Sequence, residues 1–201
     1  RMGLLSQSGA ALPLIVDGAG QGEETVLELT DAEQSWTFTG LDARPIPSLL
    51  RGFSAPVRLV MEEPESDVLT RLAHDVDPFN RWEAAQELFR AILKDACVPG
   101  GEPAVPGPFL EALGTLLDDD DADPALVAKA LALPSESEIP ELLDAVDPEQ
   151  VHQGREAVIA TIAQALEDKL RKRYADCDDA GPYALTPAAV GRRSLKNACL
   201  S

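Results

Sequence analysis

The alternation of apolar and polar residues changes period near Pro64. Upstream of it the period is two. Leu12–Val16 is a short apolar run. Thr25, Leu27 and Leu29 alternate with Val26, Glu28 and Thr30, and Trp36 and Phe38 alternate with Ser35, Thr37 and Thr39. Val57, Leu59 and Met61 alternate with Arg58 and Glu62. Successive side chains of a strand point to opposite faces, so this pattern predicts half-buried strands. Gly9, Asp17-Gly18, Gly20, Gly22, Gly40 and the Pro45/Pro47 pair read as turns between them. The spacing predicts an antiparallel sandwich. About six strands are legible where a sandwich of this type has about seven.

Downstream of Pro64 the period is helical. Val68, Leu69, Leu72 and Val76 mark one apolar face, and Trp82, Phe89, Ile92, Leu93 and Ala96 mark a second over 78–97. Phe109, Leu113, Leu116 and Leu117 mark a third helix; Leu126, Val127, Ala130 and Leu131 a fourth; Ile139, Leu142 and Leu143 a short fifth. Val158, Ile159, Ile162, Leu166 and Leu170 predict one long helix over 148–175, and a last one begins near Thr186. Four starts share one device, an oxygen-bearing residue before a proline: Asp77-Pro78, Asp123-Pro124, Asp147-Pro148 and Thr186-Pro187. The side-chain oxygen accepts from an orphan N–H of the first turn, and proline there has no N–H to leave unpaired. Residues 98–108, rich in proline and glycine, read as a loop inserted between helices. The fold class is therefore α+β, with a partial Ig-like antiparallel sandwich over 1–63 and a helical-repeat domain of the ARM/HEAT kind over 64–201.

Charge narrows the function classes. Acids outnumber bases by 35 to 17 in 201 residues, a formal net charge of −18. A phosphate backbone demands a basic surface, so nucleic acid and anionic membranes are not expected partners. No apolar run reaches the length of a membrane span and no secretory leader is legible. Cys97, Cys177 and Cys199 are too few and too dispersed for a disulfide framework, which points to a reducing, cytoplasmic setting.

The chemistry-bearing residues mostly read as structural. His74 and His152 lack a second histidine at metal-ligand spacing; His74 reads as a helix-end residue whose protonated ring suits the C-terminal dipole, and His152 as a solvent-facing residue in the first turn of the long helix. Asp118–Asp121 has Asp123 and Lys129 where a calcium loop needs glycine and glutamate, so it reads as a solvated loop. Lys169, Arg171, Lys172 and Arg173, and then Arg192, Arg193 and Lys196, fall late in helices, where cations suit the dipole. Cys97 and Cys199 lie on apolar faces and read as small buried hydrophobes. Gly52-Phe53-Ser54-Ala55-Pro56 lacks the second glycine of a nucleophile elbow and precedes a strand pattern, so Ser54 reads as a turn hydroxyl. Gly52 and Pro56 are expected to shape the approach to that strand, with Leu49, Leu50 and Phe53 filling the space beneath it.

Five stretches in order carry a family resemblance. They are Thr30-Asp-Ala-Glu-Gln34, Pro47-Ser-Leu-Leu-Arg-Gly-Phe-Ser-Ala-Pro-Val-Arg-Leu59, Asp77-Pro-Phe-Asn-Arg-Trp-Glu-Ala-Ala-Gln86, Leu131-Ala-Leu-Pro-Ser135 with Glu141-Leu-Leu143, and Arg193-Ser-Leu-Lys-Asn-Ala-Cys-Leu200. Together they resemble the bacterial alanyl aminopeptidase N family of M1 zinc metallopeptidases. The resemblance implies the later part of a β-sandwich domain followed by the first part of a helical C-terminal domain. The family's H-E-x-x-H zinc motif, its glutamate ligand and its G-A-M-E-N motif are absent from this sequence. No catalytic, cofactor-binding or metal residue is therefore assigned, and zinc belongs to the full-length enzyme alone. The implied role is a non-catalytic, chamber-shaping fragment. Its implied partners are the catalytic domain and remaining C-terminal helices of the parent, with peptides as the parent's substrates. An open sheet edge and an unpartnered last helix are expected, with a dimer through those faces. The competing reading is a stand-alone acidic protein-interaction module with no hydrolase parent.

Overall fold

The structure is a computed structural model that describes residues 1–178 and 181–200. Strands come first and helices follow. They are β1 (Met2–Leu5), β2 (Ala11–Leu12), β3 (Leu14–Val16), β4 (Ala19–Gly22) and β5 (Ile46–Leu49), then α1 (Glu65–His74), α2 (Pro78–Ala96), α3 (Gly107–Asp118), α4 (Pro124–Leu131), α5 (Pro148–Ala165), α6 (Glu167–Asp176) and α7 (Pro187–Ala198). Single 3-10 turns lie at Arg51–Phe53 and Ile139–Leu142. The chain forms two compact units, Arg1–Arg81 and Trp82–Ser201, divided inside α2.

In the first unit, β1 is the centre of an antiparallel sheet ordered β2-β1-β5. β3 and β4 form a hairpin whose turn residues, Asp17 and Gly18, both have positive φ, 48° and 83°. That geometry follows the right-handed twist of the flanking strands, and an Asp-Gly pair adopts it readily. Met2, Leu4, Leu14 and Val16 make the core, with Leu12, Leu27, Trp36, Phe38, Leu41 and Leu49 packed against them.

The strand expectations hold in part. The alternation at 25–30 and 35–39 is satisfied by packing, because Leu27, Trp36 and Phe38 face the core. Each segment contributes only one bridge, Met2 to Thr25 and Val16 to Phe38. The strand expected at 57–61 does not form; Val57, Leu59 and Val60 are exposed, and no ladder partner lies beside them. Phe53 is also exposed and does not fill a space beneath that segment. Three strands were hidden in the pattern; one is β4, where Gly20 and Gly22, which read as turn residues, pair with Ile15 and Leu14 instead. All four residues of β1 are buried, so it shows no alternation. β5 contains Pro47, which reads as a turn residue, but an edge strand can turn the proline nitrogen away from its partner.

In the second unit each apolar stripe read from the period is helical, the short fifth as the 3-10 turn Ile139–Leu142. Phe89 and Phe109 meet edge-on, with centroids 5.0 Å apart at 84°, among buried Leu93, Leu113, Leu116 and Leu117. Three of the four proline-preceded caps lie here and all close. Asp123 accepts from the Ala125 N–H at 2.8 Å, Asp147 from Glu149 at 3.0 Å and Thr186 from Ala189 at 3.4 Å. The long helix expected over 148–175 is two, α5 and α6, separated at Leu166 (φ −111°, ψ 14°). The break lets buried Leu166 and the Lys169 stem close on Gly114 of α3, where even a methyl group would come within 3.1 Å of Lys169. Packing against α3 thus overrides a continuous helical pattern.

Candidate functional site

The most constrained polar constellation lies in the first unit, where two of the quoted stretches meet. β5 points Ser48 inward, in step with Ile46, and both are fully buried. The chain then makes a tight turn with Leu50, Gly52 and Phe53 all at positive φ (54°, 62° and 58°). Such backbone is unfavourable for Leu and Phe, so the surroundings must hold it. Arg51 supplies the hold. The residue is 2% exposed; its Nε donates to Ser48 Oγ at 2.7 Å, Nη2 to Asp75 Oδ1 at 3.4 Å and Nη1 to the Glu23 carbonyl at 3.4 Å. Room for it exists because residue 3 is glycine: a Cβ there would lie 2.2 Å from the Arg51 Cζ.

The other side of the cluster is the start of α2. Asn80 donates from Nδ2 to Ser48 Oγ at 2.9 Å. Asp77 caps the helix by accepting from the Asn80 N–H at 2.9 Å, as its place before Pro78 predicts. Its second oxygen accepts from the Gly52 N–H at 2.8 Å, which ties the strained turn to the helix start. Asp75 Oδ1 accepts from the Asp77 N–H at 2.9 Å. Burial pushes the Asp75 carboxyl above its ordinary value, 3.8, against the pull of the Asp77 N–H, the Ser48 hydroxyl and the Arg51 charge. Arg81 donates to the carbonyls of Leu72 and Ala73 at 3.0 and 2.8 Å, which satisfies the end of α1. Phe53 and Phe79 meet above the turn at 4.1 Å. The arrangement is a lock on backbone geometry. Most of its donors and acceptors are spent on one another, as in a fold-holding network, while the second oxygen of Asp75 is buried with no hydrogen-bond partner among the described residues.

The other residues singled out above fall into ordinary roles. Ser54 is exposed after the 3-10 turn, with its N–H bonded to the Leu50 carbonyl at 3.4 Å. His74 ends α1, exposed, against Gly9. His152 pairs with Glu136 at 2.8 Å, and that contact raises its pKa above 6.5. Cys97 is buried and its thiol donates to the Val151 carbonyl at 3.6 Å. The acidic loop and the first basic cluster are each other's partners. Lys169 pairs with Asp118, while Arg173 donates to Asp120 at 2.6 Å and to the Asp119 carbonyl at 3.0 Å. Among the described residues, no group of three or more His, Cys, Asp or Glu is placed to hold a metal ion. No helix among them is long and apolar enough to cross a membrane.

Ser48, Arg51, Asp75 and Asn80 were not singled out in the sequence. Ser48 carried a legible signal, a polar residue in step with an apolar one on a strand; the other three acquire meaning only when α1, α2 and β5 converge.

Strands followed by stacked helices define the class. Residues 1–62 match a domain model described as a domain of unknown function, DUF3458, with an Ig-like fold, and residues 65–201 match DUF3458_C, described as ARM repeats. The chain belongs to this DUF3458 family. Relatives give the parent. It is 36% identical over 186 residues to an aminopeptidase N of Caulobacter vibrioides, covering 92% of this chain and 22% of that protein. It is 34% identical over 200 residues to an aminopeptidase N of Escherichia coli, covering 98% and 23%. A crystal structure of aminopeptidase A from Legionella pneumophila, in complex with aspartic acid, superposes with a TM-score of 0.72 at 28% identity, over 98% of this chain and 23% of that one. The chain thus spans less than a quarter of the length of these relatives and corresponds to a segment of an aminopeptidase.

Proposed function

We propose that this chain is a non-catalytic segment of a zinc-dependent M1 aminopeptidase that removes N-terminal residues from peptides in the cytoplasm. The observation that carries the reading is the collinear match over 98% of the chain to about a quarter or less of an aminopeptidase N. The sequence lacks H-E-x-x-H, and its described residues do not form a ligand cluster, so the zinc that activates water in such an enzyme is held elsewhere in the parent. The contribution of this chain is shape. The helices of the second unit form part of the wall around the catalytic chamber, and the Arg51 lock holds the turn that precedes them in sequence.

The test is an assay of this chain on alanyl-p-nitroanilide with added zinc, beside a chain extended to include H-E-x-x-H. The expected result is no turnover by the first and zinc-dependent turnover by the second. Zinc-dependent turnover by the 201-residue chain alone overturns the proposal.

A further inference from the structure

The alternation at Val57–Met61 is a strand pattern that the fold of one chain leaves without a partner. Between Pro56 and Pro64 the backbone makes no turn, bend or helix. The two prolines cannot donate to a ladder, and each favours extended backbone in the residue before it. Among the described residues, no backbone hydrogen bond engages Arg58–Glu62, and neither Arg58 nor Glu62 has an ion-pair partner. Val57 and Val60 are 60% and 83% exposed, Leu59 is exposed and Met61 half-buried. Unpaired N–H and C=O groups beside apolar side chains form an edge on which a further strand can add.

We propose that this edge pairs with the same segment of a second copy of the chain, antiparallel about a twofold axis at Val60. In extended backbone Arg58, Val60 and Glu62 share one face, and Leu59 and Met61 share the other. The twofold register sets Arg58 of each copy opposite Glu62 of the other. Val60 meets its own counterpart between them, and Leu59 meets Met61 on the second face. Opposite charges directly across a ladder are favourable, as are apolar pairs. A twofold contact closes on itself, so association stops at the dimer. Pro56 and Pro64 confine the ladder to the residues between them, and so small a contact belongs with weak, reversible associations.

Charge explains why this edge is the one that pairs. The net charge of −18 drives copies apart. Thr25–Thr30 also exposes apolar residues, Val26 and Leu29. The charges in and beside that segment are Glu24, Glu28 and Asp31, so self-pairing there would bring acids together. Only the later segment carries a base, Arg58, to set against an acid, Glu62.

The experiment follows the full 201-residue chain by sedimentation velocity over a dilution series, at salt where a Debye length of about 8 Å screens the net charge. Hydrogen exchange at Arg58–Glu62 is read at each concentration. The expected result is a monomer–dimer equilibrium, with exchange in that segment slowing as the dimer fills. R58E sets two acids opposite each other at both ends of the ladder and should weaken the dimer by about tenfold. E62R should do the same with two bases. The double variant R58E/E62R restores opposite charges and should return the affinity to within about threefold of the unsubstituted chain. Both side chains are exposed, so circular dichroism should not change in any of the three. A monomer at every concentration, a dimer that R58E leaves unchanged, a double variant no tighter than the single ones, or protection of Arg58–Glu62 that does not vary with concentration would each overturn the proposal. The readout is association alone, so its failure is distinct from a failure of the aminopeptidase reading.

Discussion

Replacing Arg51 by alanine tests the lock. The side chain is 3% exposed and that of its main charged partner, Asp75, is fully buried. Removing one member of a buried ion pair costs about 3–5 kcal/mol, because the remaining charge is left uncompensated. Here the lower end applies: the Arg51–Asp75 contact is long, 3.4 Å, and Asp75 keeps the Asp77 N–H at 2.9 Å. A loss of about 3 kcal/mol corresponds to a roughly hundredfold faster opening of the region. The assay is native-state hydrogen exchange of Met2–Leu5 and Ile46–Leu49 by mass spectrometry, which reads the first unit without assuming that both units unfold together. The pH dependence is a second reading. The Asp75 carboxyl is raised above 3.8, so its protonation favours the fold; that contribution is complete below 3.8 and is lost as pH rises through the folded value. Arg51 is one of the influences holding that value down, so without it the folded value rises further. The loss in Arg51→Ala should therefore shrink as pH falls, and Asp75→Asn in the same chain should recover part of it at neutral pH. Exchange in β1 and β5 unchanged within twofold, or a loss that Asp75→Asn does not relieve, refutes the uncompensated-charge reasoning.

Three further outcomes are expected. Gly154→Ala places a methyl 2.6 Å from the Ala96 carbonyl oxygen and 2.9 Å from the Cys97 sulfur, so the helices must separate; a cost of about 1–3 kcal/mol is expected in urea denaturation followed by circular dichroism. Asp123→Ala removes the cap on α4 and should cost about 1 kcal/mol in the same measurement, with Asp123→Asn nearly neutral. His152 should titrate above 6.5 by NMR because of Glu136, and Glu136→Gln should return it towards that value; its small stabilising contribution is present below 6.5 and lost as pH rises through the folded value.

Helix positions were legible because a helix is a local object. Its apolar stripe repeats within one turn, and an Asp-Pro or Thr-Pro start carries its cap two or three residues away; all four starts closed as read. Strand ladders were less legible because a ladder needs a partner distant in sequence. The alternation at Val57–Met61 is as regular as that at Trp36–Phe38, yet only the second lies beside another strand. The division of α5 from α6 has the same origin: Leu166 continues the apolar stripe, and only the approach of α3 explains why the helix stops there.

The same distinction governs the polar residues. The sequence by itself determined the fold class, the helix starts, the acidic character and, through five ordered stretches, the family. It could not assign Asp118–Asp121 and Lys169–Arg173 to each other, or place Ser48, Arg51, Asp75 and Asn80 in one buried cluster. A charge or a hydroxyl has no period, and its meaning depends on which partner desolvates with it. Only the convergence of β5, α1 and the start of α2 turned a stretch that resembles a catalytic elbow into a lock, with Arg51 at its centre and Ser54 left in solvent.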